Sequence, residues 1–123
     1  MDKQKENLIK KLIGEAFFRL KKRLLVCDMV VFMEPDVHVP DTLTRIRVLP
    51  SVAVVGQIDK VYRAEGGKDS LRIYVKFLPE TSRIYESVKG LATMIKKLPG
   101  IEMVKIERLG GRKINYKGKP ILV

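Results

Sequence analysis

Apolar positions recur along this chain at two different periods, and the switches between them mark its elements. Leu8, Leu12, Ala16, Leu20 and Leu24 repeat every four residues, with Ile9, Ile13 and Phe17 beside them. That is one broad helical stripe, so residues 2–23 are expected to form an amphipathic helix. Lys3, Lys10, Lys21 and Lys22 fall outside the stripe. Leu24 to Met33, dense in Val and Met, reads as a first strand closed by Pro35. The segment Glu34-Pro-Asp-Val-His-Val-Pro40 is a stiff loop, after which Asp41 is placed to N-cap a short helix over Thr42 to Leu49. Ser51 to Arg63 reads as a second strand in which Gly56 signals a bulge or bend. Ala64 to Ser70 has the composition of a hairpin turn. Leu71 to Phe77 then alternates cleanly: Leu71, Ile73, Val75 and Phe77 point one way, and Arg72, Tyr74 and Lys76 the other. A sheet with one buried face produces that pattern. Thr81 or Ser82 is expected to cap a helix running to Leu98, with Ile84, Val88, Leu91 and Ile95 buried. Ile101 to Glu107 closes the series as a strand.

A ten-residue repeat supports this parsing. Ile46-Arg-Val-Leu-Pro-Ser-Val-Ala-Val-Val55 matches Ile95-Lys-Lys-Leu-Pro-Gly-Ile-Glu-Met-Val104, 49 positions later. Each copy reads as a last helical turn, a proline stop, a small turn residue and an apolar strand. Proline cannot continue a helix and drives the residue before it toward extended geometry. Two such units predict an α+β fold, a ferredoxin-like β-α-β-β-α-β sandwich with both helices on one sheet face. The expected organisation is an N-terminal helix over 1–24, the ferredoxin-like domain over 25–109 and a basic arm over 110–123, with Gly110-Gly111 as a hinge.

The element order and the Leu98-Pro-Gly-Ile101 close before the last strand resemble ACT-like domains across residues 25–107. Those regulatory modules carry a Pro-Gly-x-Leu step before their first helix. Pro40-Asp41-Thr42-Leu43 keeps the Pro and Leu but has Asp in place of the Gly that lets an amino-acid ligand approach the backbone. The resemblance implies a small-molecule pocket around residues 34–43. Residues 43–104 are also similar to small proteins of tailed bacteriophages, through Leu43-Thr-Arg-Ile-Arg-Val-Leu-Pro50, Val52-Ala-Val-Val55 and Val75-Lys-Phe-Leu-Pro79. That similarity implies a virus-encoded subunit, part of a particle.

Charge adds a partner class. The net charge of +11 is concentrated at the two ends: residues 1–24 hold eight Lys or Arg against three acids, and residues 105–123 hold six against one. Such ends attract phosphate backbones or acidic partners. No apolar run approaches the roughly 20 residues of a membrane-spanning helix, and no signal core follows the basic start. A cytoplasmic protein, or one within a particle assembled in the host cytoplasm, is expected.

Catalytic chemistry is not legible, and the chain is read as a non-enzyme. One cysteine, Cys27, among apolar neighbours reads as a buried thiol. One histidine, His38, between prolines and flanked by Glu34 and Asp36, reads as a solvated loop residue. One His and one Cys cannot make a zinc site of the usual ligand number, so no metal or cofactor is expected. Gly66-Gly67-Lys68 lacks the spacing of a phosphate loop. The expected function is a non-catalytic assembly subunit that binds other protein subunits or itself. Leu8, Leu12, Phe17, Lys21 and Lys22 of the N-terminal helix, the sheet edge, and an arm docking through Ile121, Leu122 and Val123 would make the contacts. The alternative is a nucleic-acid-binding module using Arg72, Tyr74 and Lys76 as a platform with Arg112, Lys113, Lys117 and Lys119 of the arm. The recognition octapeptide of RNA-binding sheets is absent.

Overall fold

A computed structural model describes residues 24–63, 67–80, 82–115 and 118–123. The expected N-terminal helix, with Leu8, Leu12, Phe17, Lys21 and Lys22, lies outside the described residues, as does Lys117. The described chain is a mixed α+β structure of seven strands and two helices: β1 (Leu25–Met33), α1 (Val39–Arg47), β2 (Val52–Gln57), β3 (Tyr62–Arg63), β4 (Asp69–Phe77), α2 (Ile84–Lys96), β5 (Ile101–Leu109), β6 (Arg112–Lys113) and β7 (Ile121–Leu122). All pairings are antiparallel. The strand order is β2-β4-β1-β5-β6, with β3 beside β4 and β7 beside β5.

The alternation legible in β4 sets the two faces of the sheet. Leu71, Ile73, Val75 and Phe77 are at most 1% exposed and join Cys27, Met29, Val31 and Met33 of β1 in one core. Ile46 of α1 and Val88, Leu91, Ala92 and Ile95 of α2 cover the same face. Ile84, expected in the buried stripe, is instead 41% exposed, because it occupies the first helical position, before the stripe reaches the sheet. The opposite face, which neither α1 nor α2 covers, carries Arg72, Tyr74 and Lys76 with Val30, Asp28 and Val26 of β1 across from them; Arg72 and Lys76 are exposed, whereas Val30 is 8% exposed.

The ten-residue repeat is a repeat in three dimensions. Leu49 N–H donates to the Ile46 carbonyl at 3.1 Å and Leu98 N–H to that of Ile95 at 3.0 Å. Val52 and Ile101 then donate back to Leu49 and Leu98. Ser51 (φ 69°) and Gly100 (φ 78°) occupy the left-handed region at matching positions. Each copy feeds a strand on one flank of the central pair, β2 beside β4 and β5 beside β1.

Boundaries differ from expectation where proline and capping chemistry compete. α1 begins at Val39 with His38 as N-cap, so Asp41 sits in the first turn rather than capping it. Pro40 is tolerated there because the first-turn N–H groups have no intrahelical acceptor. The N-cap of α2 is Arg83, without a side-chain cap, so Ser82 does not fill that role; Thr81 lies outside the described residues. Ser87 Oγ instead reaches back and accepts from the Glu80 N–H at 3.0 Å. The single strand expected over 51–63 is two, β2 and β3, which follow one another along β4.

Two short pieces of the C-terminal segment, Arg112–Lys113 and Ile121–Leu122, pair into the sheet. Gly110 (φ 60°) and Gly111 (φ 81°) form the two-residue turn of the β5–β6 hairpin, a geometry that requires positive φ at both positions. The Gly110 N–H donates to the Val26 carbonyl at 2.8 Å. β7 then returns to the outer edge of β5, pairing Ile121 with Ile106 and Leu122 with Lys105.

Candidate interaction surfaces on the sheet

Two features of the sheet present chemistry to the outside: the edge formed by β2 and the open face around β5. The β2 edge follows from composition. From Val48 to Ile58 the chain runs eleven residues without a charge, in a protein whose charged content is 32%. This run holds Val48, 75% exposed, and Val54 and Ile58, both 41% exposed; Tyr62 of β3 follows at 69%. β2 pairs only with β4, so its outer backbone groups have no strand partner among the described residues. The other flank differs, because β6 and β7 cover β5. Ile121 is 4% exposed, Leu122 is 51% exposed, and Val123 exchanges two backbone hydrogen bonds with Val104, at 3.0 and 2.8 Å.

On the open face, register brings residues together in rows. One row runs Gly56, Tyr74, Asp28, Arg108 and Lys113 across β2, β4, β1, β5 and β6. The next runs Arg72, Val30, Lys105 and Leu122 across β4, β1, β5 and β7. Gly56 is explained by its row: a Cβ there would stand 2.2 Å from Tyr74 Cζ, so the Tyr74 ring lies across the glycine backbone. The register shift in β2 falls between Val52 and Val54, not at Gly56.

Arg72, Tyr74 and Lys76 share the open face, but their side chains are not equivalent. Arg72 donates to Asp59 Oδ2 at 3.1 Å and, reaching across β1, to Glu107 Oε1 at 3.2 Å. Glu107, and to a lesser degree Asp59, raise the guanidinium pKa further, so Arg72 stays charged at every accessible pH. The Tyr74 ring is half-buried against β2, and Lys76 is exposed. The arrangement is an ion-paired bridge, a packed ring and one exposed cation rather than a row of stacking aromatics.

A cleft rich in cations lies beside this bridge. It has a volume of about 390 Å³ and runs between β5, β6 and the returning C-terminal chain, walled by Arg72, Lys105, Glu107, Arg108, Lys113 and Asn115. Lys105, Arg108 and Lys113 make no ion pair among the described residues. Arg108 and Lys113 are direct cross-strand partners. Arg112 and Lys119, both exposed, lie outside the walls of this cleft. A smaller depression of about 230 Å³ is lined by Val37, His38, Asp41, Thr42, Arg45 and Gly100. His38 Nδ1 and Asp41 Oδ2 are 3.1 Å apart at its rim.

Cys27 is fully buried, and burial, reinforced by Asp28, pushes its thiol up to about 12, so it carries no thiolate near neutrality. Glu102 pairs with Lys68. Among the described residues no three His, Cys, Asp or Glu side chains cluster as metal ligands, and no helix is long and apolar enough to cross a membrane.

No protein-family model matches this chain, and no curated protein matches it in sequence.

Proposed function

We propose that this protein is a non-catalytic assembly subunit that joins a neighbouring subunit, in the simplest case a second copy of itself, through the β2 edge. The carrying observation is the contrast between the two flanks of the sheet. One is closed by the chain's own β6 and β7, while the other presents unpaired backbone groups on an uncharged strand flanked by Val48, Val54, Ile58 and Tyr62. Monomeric proteins ordinarily protect a free edge with lysine, proline or a short strand. β2 has none of these along Val52–Gln57, its one edge-protecting irregularity being the register shift between Val52 and Val54. Pairing with a neighbour's strand would satisfy the backbone groups and cover the apolar side chains together.

The body is read as ferredoxin-like, because the order β2-β4-β1-β5 with two helices on one face supports that topology. The N-terminal stripe of Leu8, Leu12 and Phe17 is a second contact on sequence grounds, and a place within a larger particle is compatible with both. Light scattering and sedimentation across a range of protein concentrations test the reading. The expected result is a self-associating species that Val54→Lys converts to a folded monomer. A monomer at all concentrations, or an oligomer indifferent to both Val54→Lys and Val48→Lys, would sink the β2 reading.

A further inference from the structure

We infer that the cleft walled by Lys105, Arg108, Lys113 and Asn115 binds the phosphodiester backbone of single-stranded nucleic acid. The inference does not depend on the β2 edge, which lies on the opposite flank of the sheet.

Like charges placed directly opposite one another on neighbouring strands repel. Arg108 and Lys113 occupy such a pair, and Lys105 adds a third cation along the same wall. Glu107, the one carboxylate lining the cleft, would be the natural counter-charge, but it is engaged by Arg72, whose guanidinium is also anchored by Asp59. Arg72 thus acts as a positioning residue that diverts Glu107, and although Asp28 stands across from Arg108, none of the three cations has an ion pair among the described residues. Asn115 adds an amide able to donate to a phosphate oxygen.

Spacing separates a chain of phosphates from a single one. Lys105 and Arg108 pair with Val30 and Asp28, two residues apart on β1, because β5 carries an extra residue between them, so they stand roughly 7 Å apart along the sheet. Lys113 lies one strand further out, about 5 Å from Arg108. Cations spread over that span meet successive phosphates of a backbone better than one phosphate group. Four consecutive β5 residues, Lys105 to Arg108, line the cleft, and Ile114 and Pro120 supply apolar wall for a sugar or base.

The test uses the full chain and a fluorescein-labelled single-stranded oligonucleotide, read by anisotropy over a salt series. Three neutralised phosphates give a log–log salt slope of about −2, so affinity should fall roughly 20-fold from ~50 to ~200 mM salt. The triple variant Lys105→Gln/Arg108→Gln/Lys113→Gln should flatten the slope and lose most of the affinity. The charge-matched triple Lys89→Gln/Lys96→Gln/Lys97→Gln on α2 should keep the slope. The double variant Arg108→Gln/Lys113→Gln, which changes only exposed side chains, serves if the triple unfolds and should reduce the slope magnitude by about 1.4. Absence of binding, or equal losses from the cleft and α2 variants, overturns the inference. So does equally tight, equally salt-dependent binding of poly-glutamate, which would make the cleft a site for acidic protein. Complete displacement by inorganic phosphate at constant ionic strength would also overturn it, by showing a single-phosphate site.

Discussion

Replacing Ile121 by alanine should unfold the protein far more readily than the same change at Leu122, its neighbour and near-isomer. Ile121 is 4% exposed and belongs to the core, whereas Leu122 is 51% exposed. The substitution removes three carbon groups, worth about 2.4 kcal/mol at ~0.8 kcal/mol each when fully buried. A cavity term adds to this only in part, because a terminal strand can settle inward. The expected loss is therefore about 2–3 kcal/mol, or a Tm roughly 10 °C lower. Leu122→Ala should cost about 1 kcal/mol, since half of that side chain is already in water. Urea unfolding of both variants, at two protein concentrations and with the m-value monitored, supplies the numbers. If Ile121→Ala stays within ~0.5 kcal/mol of the parent, β7 does not belong to the folded unit. A loss that changes with protein concentration would instead mean that the segment docks on a neighbouring copy. Either result refutes the intrachain β5–β7 pairing.

Other consequences follow from the same geometry. Ser51→Gly should stabilise the fold by up to about 1 kcal/mol, because Ser51 holds φ 69° where glycine carries no Cβ penalty. Gly100→Ala should destabilise by more than ~1–2 kcal/mol, since its φ is 78° and the new Cβ would lie 2.5 Å from Val37 Cγ2; denaturant melts measure both. Gly56→Val should expel the Tyr74 ring from β2, seen as a change in the Tyr74 ring-proton shifts by NMR, while Gly90→Val, where a Cβ would meet nothing, should leave them in place. Cys27 should resist thiol reagents at pH 8 except at the rate of opening. Its folded pKa of about 12 lies above the ordinary thiol value of 9.0, so over that window the unfolded chain loses a proton that the folded chain keeps. Stability should therefore decline as pH rises from 9.0 toward 12 and be indifferent to this thiol below that range, with Cys27→Ala abolishing the dependence.

What was legible in the sequence was local, and what was not depends on partners distant along the chain. The alternation of Leu71 to Phe77 identified both faces of β4, because period two is a property of neighbouring residues. The Leu-Pro-Ser/Gly repeat identified two helix-to-strand turns for a similar reason: proline and left-handed backbone act within a few residues. Gly56 announced an irregularity but not its cause, since Tyr74, the ring that requires it, sits 18 positions later. Arg72 looked like a free cation beside an aromatic. The carboxylates that hold it are 13 and 35 residues away, and no periodicity links them. The tail was legible in part: Ile121, Leu122 and Val123 were expected to dock, but a basic stretch after two glycines gave no sign of where. Its fate was decided by the outer edge of β5, whose backbone groups and Ile106 offered Ile121 and Val123 a place to pair.

That capture decides where chemistry is left over. By closing the β5 flank, the tail brings Lys113 alongside Arg108 and walls a cleft around them, which gives part of the charge excess readable at the chain's end a place on the surface. It also leaves the β2 flank as the sheet's long unpaired edge among the described residues, on the stretch of chain with no charge to repel a neighbour. The two surfaces are therefore separated by the width of the sheet and are opposite in character, one cationic and the other neutral and apolar. An assembly built through β2 would leave the clefts of its subunits facing outward, free to hold a continuous polyanion. A charge change in the cleft should accordingly alter nucleic-acid affinity without altering oligomeric mass, and Val54→Lys should do the reverse. If either substitution moved both readouts, the two surfaces would have to be one.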